Sequence, residues 1–291
     1  MIQAVYTHKN GFETDEKPKS TLSCVNDKIS GVFVTRIRPL NEGEKPKHPG
    51  EKQVFEATNE LSPTFKEALS SGEPIVASWK IDGTCCKIEN GVYYRRRDIR
   101  KGSVPPPGSI LGDVDENGVA KIAWIPLNES HDPEDKYHLS AMTDTRHYVY
   151  VMNKNKSFYL LDLSSVTTAC TFELIGPKVQ DNPYSIETID VDVKIKNSVQ
   201  KIPRHYLIPH GAFLIPFPIE WFQLDNPLDL MKQFVMLNSA EGIVFRCGNN
   251  YFKVNQGHLA TFNRGSKLLL AGMQYDKIEL KNGRVCLLVL E

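Results

Sequence analysis

The sequence predicts an α+β fold dominated by antiparallel sheet. Its apolar segments are short, and several alternate apolar with polar residues, which is typical of strands with one buried face. Asn-Gly pairs begin at Asn90, Asn117 and Asn282, and such a pair between alternating segments favours a hairpin because both residues accept positive φ. The chain contains no repeated βαβ alternation, no G-x-G-x-x-G and no Walker loop, so a Rossmann or P-loop fold is disfavoured.

The first third of the chain is mostly strand in this prediction. Residues 1–30 are largely polar and are expected to form a loose N-terminal arm. The elements that follow are a strand over Gly31–Arg38, a short helix over Thr64–Ser70, a strand over Ile75–Trp79, and a hairpin of Cys85–Glu89 with Val92–Arg96 around Asn90-Gly91.

The rest of the chain adds further strands and the clearest helix. The helix runs from Asn226 to Leu237, with asparagine at the N-cap, proline in the first turn and an apolar stripe through Leu228, Met231 and Val235. The predicted strands are a hairpin of Val149–Met152 with Phe158–Leu163 and a buried strand over Ala169–Ile175. No shift in composition marks a boundary, so residues 1–291 are expected to form a single domain.

Composition excludes several classes of protein. The longest apolar runs are far shorter than the roughly 20 residues of a membrane span, so no membrane association is predicted. The six cysteines form no C-x-x-C pair and no Cys/His grouping has zinc spacing, which predicts free thiols in a reducing, intracellular compartment, the cytoplasm. The sequence gives no sign of an obligate protein partner.

Charge is balanced over the whole chain, with 35 Lys and Arg against 35 Asp and Glu. A protein that merely coats nucleic acid would usually be basic, so contact with nucleic acid requires a local patch. The run from Arg95 to Lys101 supplies one, with a single acidic residue, Asp98. A solvated hairpin edge is an equally good interpretation of this run.

Four segments embed a charged residue in strand-like apolar sequence, where burial is costly unless the charge has a partner. The segments are Lys80-Ile-Asp82-Gly83, Phe172-Glu173-Leu-Ile-Gly176, Glu241-Gly-Ile-Val-Phe245 and Tyr251-Phe-Lys253-Val254. Lys80 ends a buried-looking strand, and desolvation near other cations would favour its neutral amine, the nucleophilic form.

Glu241 and Lys253 flank a predicted hairpin whose register decides whether they meet. A three-residue turn over 248–250 pairs position 245 with position 253, and it brings the carboxylate and the ammonium into one pocket. A two-residue turn at Gly248-Asn249 pairs 245 with 252 and breaks that arrangement.

The four segments in this order resemble the covalent nucleotidyltransferase superfamily, and more closely the ATP-dependent 5′-to-3′ RNA ligase family of the RNA ligase 1 type. The resemblance runs from about Gly31 to about His258. The strings that carry it are Lys80-Ile-Asp-Gly-Thr-Cys-Cys86, Asp115-Glu-Asn-Gly118 with Trp124-Ile-Pro126, Glu173-Leu-Ile-Gly176 with Asn182-Pro-Tyr184, Leu207-Ile-Pro-His-Gly-Ala-Phe213, and Glu241-Gly-Ile-Val244.

The resemblance implies a role for each residue that matches a family motif. Lys80 matches the nucleophile that takes AMP from ATP, and Asp82-Gly83 completes its motif. Glu241 matches a carboxylate that supports Mg²⁺ or Mn²⁺, and Glu173 one near the ribose hydroxyls or the metal. The other implied sites are Arg97 and Lys253 on phosphate, Phe213 on adenine, and Arg100 and Lys101 on RNA.

The implied fold is an antiparallel-sheet-rich, ATP-grasp-like nucleotidyltransferase domain without a C-terminal OB domain, since only 38 residues follow Lys253. The implied activity joins RNA 5′-phosphate and 3′-hydroxyl ends through Lys–AMP and an RNA-adenylate. Asn255 departs from the family pattern, in which a second lysine is common at that position. The alternatives are a GTP-dependent mRNA guanylyltransferase and a non-catalytic RNA-end-binding protein of the same fold. Structural roles are favoured for His205 and His210, although a family string contains His210.

Overall fold

A computed structural model describes most of the chain. The described residues are 6–8, 24–25, 28–42, 50, 52–100, 103–114, 118–127, 133, 135–142, 146–150, 158–162, 168–195, 197–211, 213–215, 217–259, 278–281 and 284–287. In 6–8, 146–150, 158–162, 278–281 and 284–287 only the backbone is described. Within these residues the fold is α+β and rich in strands, as the sequence predicts.

The chain divides into two compact units. Unit 1 comprises Met1–Lys28 and Asp82–Ala212, and unit 2 comprises Ile29–Ile81 and Phe213–Glu291. The chain passes from unit 2 into unit 1 between Ile81 and Asp82, inside the Lys-x-Asp-Gly segment. The expectation of one nucleotidyltransferase domain over 1–291 stays a prediction.

Unit 1 is built on a nine-stranded sheet. The strand order is β1-β11-β10-β15-β12-β6-β7-β9-β8. The strands are β1 Tyr6–His8, β6 Thr84–Glu89, β7 Val92–Asp98, β8 Ile110–Leu111, β9 Ile122–Pro126, β10 Arg146–Tyr150, β11 Phe158–Asp162, β12 Cys170–Ile175 and β15 Tyr206–Pro209. All neighbours are antiparallel except β10 and β15.

The core of unit 1 lies on one face of this sheet. Cys86, Ile88, Phe172, Leu174 and Leu207 are almost completely buried there. All six residues of β12 are buried. Unit 1 also contains the helix α2 Asp135–Ser140 and the hairpin of β13 Asp190–Ile195 with β14 Ser198–Pro203.

Unit 2 is built on a five-stranded sheet in the order β16-β5-β17-β18-β2. Its strands are β2 Ser30–Gly31, β5 Ile75–Lys80, β16 Leu214–Ile215, β17 Gly242–Cys247 and β18 Asn250–Asn255. The unit adds the hairpins of β3 Phe33–Pro39 with β4 Gln53–Leu61 and of β19 Ile278–Lys281 with β20 Arg284–Leu287, the helices α1 Pro63–Ser70 and α3 Pro227–Leu237, and a 3-10 helix at Ile219–Gln223.

An aromatic cluster covers one face of this smaller sheet. Phe65 of α1 packs edge-on against Phe222 and Phe252, with ring centroids 4.9 and 5.0 Å apart. Phe217 packs edge-on against Phe245 of β17 at 5.1 Å. Such edge-to-face pairs add to the hydrophobic stabilisation of the buried rings, so this face is the closed side of the sheet.

Most of the predicted elements are confirmed. Asn90 and Gly91 have φ values of 50° and 73°, as a tight turn between β6 and β7 requires. The helices α1 and α3 begin and end within a residue of the predicted bounds. The predicted first strand is interrupted at Val32, so that it forms β2 and β3. The arm of residues 1–30 falls largely outside the described residues, although Val25 is buried.

The described helices are all too short and polar to cross a membrane. Five cysteines, Cys24, Cys85, Cys86, Cys170 and Cys247, are free thiols, as predicted. The side chain of Cys286 is outside the described part. The predicted cellular compartment stays a prediction.

Candidate active site and its relatives

Alternation along three strands of unit 2 separates an apolar face from a polar one. Residues at alternate positions of β5, β17 and β18 are buried: Ala77, Trp79, Ile243, Phe245, Phe252 and Val254. The intervening positions form what we call the Lys80 face, which contains Ser78, Lys80, Val244, Arg246, Lys253 and Asn255. Three of these six side chains carry a positive charge, so this face suits an anionic ligand.

The register sets two rows across the Lys80 face. Gly242 lies opposite Lys80 on one side and Asn255 on the other. One step along the strand, Val244 lies between Ser78 and Lys253. Since residues directly opposite in an antiparallel pair share a face, Lys80 and Lys253 lie on the same side of the sheet in neighbouring rows.

The predicted register of the β17–β18 hairpin is wrong. The structure pairs Phe245 with Phe252 and has a two-residue turn at Gly248-Asn249, which was the alternative. Two-residue turns match the twist of antiparallel strands and need a residue that accepts positive φ, and Gly248 has a φ of 55°. This register keeps Lys253 on the side of Lys80, although it does not pair it with position 245.

Glu241 directly precedes β17 and bonds to Lys80. Its Oε2 accepts a hydrogen bond from Lys80 Nζ at 2.5 Å, and the two side chains are 19% and 22% exposed. The backbone carbonyl of Glu241 accepts from the N–H of Gln256 at 2.9 Å, which extends the sheet pairing by one residue and fixes the start of the strand. The pair is accessible from solvent at the strand end.

Gly242 allows the backbones of β17 and β18 to pack closely at the strand end. A Cβ atom at this position would lie 2.0 Å from the carbonyl oxygen of Val254 and 2.8 Å from the Cα of Asn255. Any larger residue would therefore force β17 and β18 apart, where Glu241 and Lys253 are positioned. This contact explains why glycine follows the glutamate in the sequence.

Phe213 lies on the other face. Its carbonyl accepts from the N–H of Trp79 at 2.9 Å, which places it opposite Trp79, and it is 3% exposed. The structure does not bring this side chain to the Lys80 face, because adjacent positions of β5 point to opposite sides. Its predicted contact with adenine stays a prediction.

Unit 1 contains the other half of the Lys-x-Asp-Gly segment. The backbone N–H of Asp82 donates to the hydroxyl of Tyr184 at 2.6 Å. A Cβ on Gly83 would lie 2.3 Å from the carbonyl oxygen of Leu174 and 2.8 Å from Glu173 Cγ. The glycine is required because β12 passes directly against the backbone here.

Glu173 lies in the middle of β12, where it bonds to His210. His210 Nε2 is 2.8 Å from Glu173 Oε2, and His210 Nδ1 is 2.8 Å from Thr171 Oγ1. Cys85, on β6, is directly opposite Glu173. One ligand atom from each of Cys85, Glu173 and His210 lies within 4.8 Å of the others.

Sequence reasoning missed this cluster. The sequence favours a structural role for His210, and no Cys/His spacing in it indicates a metal site. One feature of the sequence could have indicated the cluster: Cys85, Glu173 and His210 each lie in one of the strings that resemble the RNA ligase family.

The arginine run of β7 divides between the two faces of its strand. Arg95 points inward and forms a buried ion pair with Asp135, with the two atoms 2.7 Å apart. Arg96 is half-buried and pairs with Asp98 at 3.3 Å, and Asp98 also pairs with Lys28 at 3.1 Å. Arg96 lies on the same face of the sheet as Glu173. Arg97 is exposed and lies on the opposite face. The run is therefore a less uniform basic patch than its sequence suggests.

The RNA-binding candidates lie at the end of this run. Arg100 is exposed, and Lys101 lies outside the described residues. The predicted RNA contacts of both residues stay predictions.

A scan against protein-family models finds no match for this chain. Comparison with curated proteins finds similarity to RNA ligase 1 of Danio rerio, which is 26% identical, with 82% of each protein covered. RNA ligase 1 of Rattus norvegicus is 26% identical, with 89% of this chain and 90% of the relative covered. RNA ligase 1 of Pongo abelii is 24% identical, with 82% of each protein covered. The resemblance carried by the motifs is thereby confirmed: the chain is a distant homologue of the RNA ligase 1 proteins over most of its length.

Proposed function

We propose that this protein is an ATP-dependent RNA ligase with an ATP-grasp-like nucleotidyltransferase fold, and that Lys80 is its nucleophile. The observation that carries the proposal is the Lys80–Glu241 pair on a sheet face that also presents Lys253. Phosphoryl transfer asks a protein mainly to position the reacting groups and to neutralise charge on the phosphate oxygens, and this face provides both. The distant homology to RNA ligase 1 proteins supports the same assignment.

The first step is attack by the neutral amine of Lys80 on the α-phosphorus of ATP. A nitrogen–phosphorus bond forms, the bond to the bridging oxygen breaks, and pyrophosphate leaves with the electron pair. The amine loses one proton in this step, and Glu241 Oε2, 2.5 Å from Lys80 Nζ, is positioned to accept it. The product is a Lys80–AMP phosphoramidate.

Two further displacements follow at phosphorus. A 5′-phosphate of RNA attacks the Lys80-bound adenylate and releases the amine, which gives an RNA-adenylate. A 3′-hydroxyl of RNA then attacks the 5′-phosphate, forms the phosphodiester and expels AMP. Every reacting centre is a phosphate, so one cationic face can serve all three steps.

A divalent metal fits the donor chemistry beside Lys80. Carboxylate oxygens are the ligands that Mg²⁺ and Mn²⁺ prefer, and the carboxylate of Glu241 is accessible at the strand end. A bound Mg²⁺ would supply charge neutralisation at phosphate oxygens. On the protein side, Lys253 would hold the α-phosphate, while Asn255 offers an amide where a second lysine is common.

The ion pair with Glu241 fixes the position of Lys80 Nζ in the protein without nucleotide. An ammonium has no lone pair, so Lys80 must release one proton to solvent before it attacks and a second as the nitrogen–phosphorus bond forms. Glu241 is therefore proposed to position Lys80 as well as to support the metal. For unit 1, nucleotide contacts by Asp82, Gly83, Glu173 and Arg97 are proposed from the family motifs.

Intact-mass measurement after incubation with ATP and Mg²⁺ tests the proposal. Wild-type protein should gain the mass of one adenylyl group, which is AMP less one water. Lys80→Ala and Lys80→Arg should gain none, because a guanidinium cannot supply a neutral amine at working pH. The matched control is Lys66→Ala, which removes an exposed lysine of α1 in the same unit and should leave the adduct intact.

Circular dichroism of each variant separates loss of the nucleophile from loss of the fold. An adduct that persists in folded Lys80→Ala would remove Lys80 from this role. Stable labelling by GTP but not ATP would indicate a guanylyltransferase. Binding of RNA ends by wild-type protein that never becomes adenylylated would indicate a non-catalytic RNA-end-binding protein.

A further inference from the structure

The cluster of Cys85, Glu173 and His210 in unit 1 combines a thiol, a carboxylate and an imidazole. One ligand atom of each lies within 4.8 Å of the others. Four tetrahedral ligands about 2.0–2.3 Å from a zinc ion lie about 3–4 Å from one another, so small side-chain rotations would bring these three atoms to coordinating distances. The cluster involves no residue of the Lys80 face.

Strand pairing fixes all three positions. Glu173 of β12 lies directly opposite Cys85 of β6 on one side. On the other side, the N–H of His210 donates to the carbonyl of Thr171 at 3.2 Å, which continues the β12–β15 pairing by one residue. The three side chains therefore project from one face of three neighbouring strands, and the backbone holds them in place before any ligand arrives.

A second set of contacts orients the imidazole. His210 Nδ1 is 2.8 Å from Thr171 Oγ1, and the same oxygen accepts a hydrogen bond from the N–H of Val25 at 2.9 Å. This arrangement turns Nε2 towards Glu173 and Cys85. Metal-binding histidines usually have their other ring nitrogen fixed by such a hydrogen bond.

The cluster is accessible to a small ion. Cys85 is half-buried, and the side chains of His210 and Glu173 are 23% and 11% exposed. Full burial would have blocked entry, and full exposure would have left the side chains without fixed positions. The cluster is open enough for an ion to enter and packed enough to hold it.

The mixed donor set selects the class of metal. Thiolate and imidazole favour zinc and related transition metals over Mg²⁺, which prefers oxygen ligands in an octahedral arrangement. Three protein ligands leave the fourth position of a tetrahedral ion open to water or to an anionic oxygen, as in catalytic rather than structural zinc sites.

We propose that Cys85, Glu173 and His210 bind a divalent transition metal of the zinc class with one open coordination position. The thiol loses one proton on binding, so binding is tighter at higher pH. The hydrogen bond between His210 Nε2 and Glu173 Oε2 is replaced by a bond from each to the metal, and the neutral imidazole then carries its proton on Nδ1, where Thr171 Oγ1 can accept it. Glu173 belongs both to this site and to the nucleotide contacts proposed for unit 1, whereas binding of this metal needs no nucleotide.

Cobalt titration of the nucleotide-free full-length protein, first stripped of metal with a chelator, tests the proposal. One equivalent of Co²⁺ should produce a thiolate-to-metal charge-transfer absorption, and one equivalent of Zn²⁺ should remove it by displacement. Cys85→Ser should abolish this absorption, and His210→Ala should weaken Zn²⁺ binding at least tenfold. Thr171→Val should weaken Zn²⁺ binding about 10–100-fold, the range found for partners of metal ligands.

The matched control is Cys24→Ser, which removes another half-buried thiol of unit 1 and should leave the absorption unchanged. Absence of the absorption in folded wild-type protein, or its survival in Cys85→Ser, would overturn the proposal, and the three side chains would then serve as a hydrogen-bonded structural cluster. Because the assay contains no nucleotide, its result is independent of whether Lys80 becomes adenylylated.

Discussion

The two units differ in how they stabilise a charged side chain in a sheet strand. Each has a charged residue within or at the end of a sheet strand, where an unpaired charge would be costly to desolvate. In unit 2 the ammonium of Lys80 is paired with a carboxylate. In unit 1 the carboxylate of Glu173 is bonded to an imidazole and lies opposite a thiol.

The difference indicates what each cluster can bind. The Lys80 face adds two further cations, Arg246 and Lys253, so its net charge suits phosphate. The cluster of Cys85, Glu173 and His210 contains no cationic side chain apart from a protonatable histidine, and its donors suit a metal ion. If both proposals hold, compensation of a strand charge leads to an anion site in one unit and a cation site in the other.

Among the tests of this difference between the units, replacing Lys253 has the largest expected effect. Lys253→Ala removes a charge of the Lys80 face but leaves the Lys80–Glu241 pair intact. We expect the single-turnover rate of Lys80–AMP formation to fall about a hundredfold, the usual scale for losing one preorganised charge-stabilising group. Quenched-flow measurement with ATP labelled at the α-phosphate checks this, and Lys253→Arg should restore part of the rate.

Lys232→Ala is the control for Lys253, because this α3 lysine is only weakly paired with Asp229, at 3.8 Å. Its rate of adenylylation should be unchanged. If Lys253→Ala reacted as fast as the wild type, Lys253 would have no part in holding phosphate. The proposed difference between the Lys80 face, which binds an anion, and the unit 1 cluster, which binds a metal, would then lose its support.

Local sequence signals predicted local structure well. Asn90-Gly91 specified its hairpin because both residues adopt positive φ, which few other residue pairs do easily. The proline after Asn226 marked the start of α3 correctly. The prediction of the β17–β18 register was wrong because Gly248, Asn249 and Asn250 are all good turn residues. The length of the turn decides which residues of the two strands lie opposite each other, and the sequence does not specify that length.

The composition of the unit 1 cluster could not be predicted in this way. Glu173 and His210 are 37 residues apart, and they meet only because β12 pairs with β15. Two intervening strands, β13 and β14, form a separate hairpin, so order along the chain does not indicate order in the sheet. Long-range strand pairing is set by packing of the whole unit, which no short motif records.

Glycine contacts offer a second test of the comparison. Gly242→Ala and Gly83→Ala should each destabilise the protein by about 1–3 kcal/mol, because the added methyl group meets backbone that cannot rotate away. Gly242→Ala should also reduce adenylylation, since it separates β17 from β18. Gly83→Ala should reduce cobalt binding, since it displaces β12 at Glu173. Urea unfolding measures the stability of each variant.

Gly257→Ala is the control for both glycines. Its nearest neighbouring atom would be Asn255 Oδ1 at 3.4 Å, an ordinary contact with a side chain that can move. We expect a change in unfolding free energy within about 0.5 kcal/mol. Equal stability of Gly242→Ala and Gly257→Ala would mean that close approach of the two strands is not what requires glycine after Glu241.

The smallest expected effect is a dependence of stability on pH that originates in unit 1. Burial lowers the pKa of His205 to about 4, and its Nδ1 is 2.7 Å from Ser140 Oγ. The unfolded chain binds a proton on this histidine near pH 6.5, whereas the folded protein does not until about pH 4. The free energy of unfolding should therefore be fully retained above about pH 6.5 and fall by about 1 kcal/mol per pH unit below it.

Urea unfolding at pH 7 and pH 5 measures this, and His205→Gln should show a smaller loss of unfolding free energy between the two pH values because it has no group to titrate. An equal loss in the wild type and in His205→Gln would assign the acid sensitivity to carboxylates instead, and it would remove this contrast between the units.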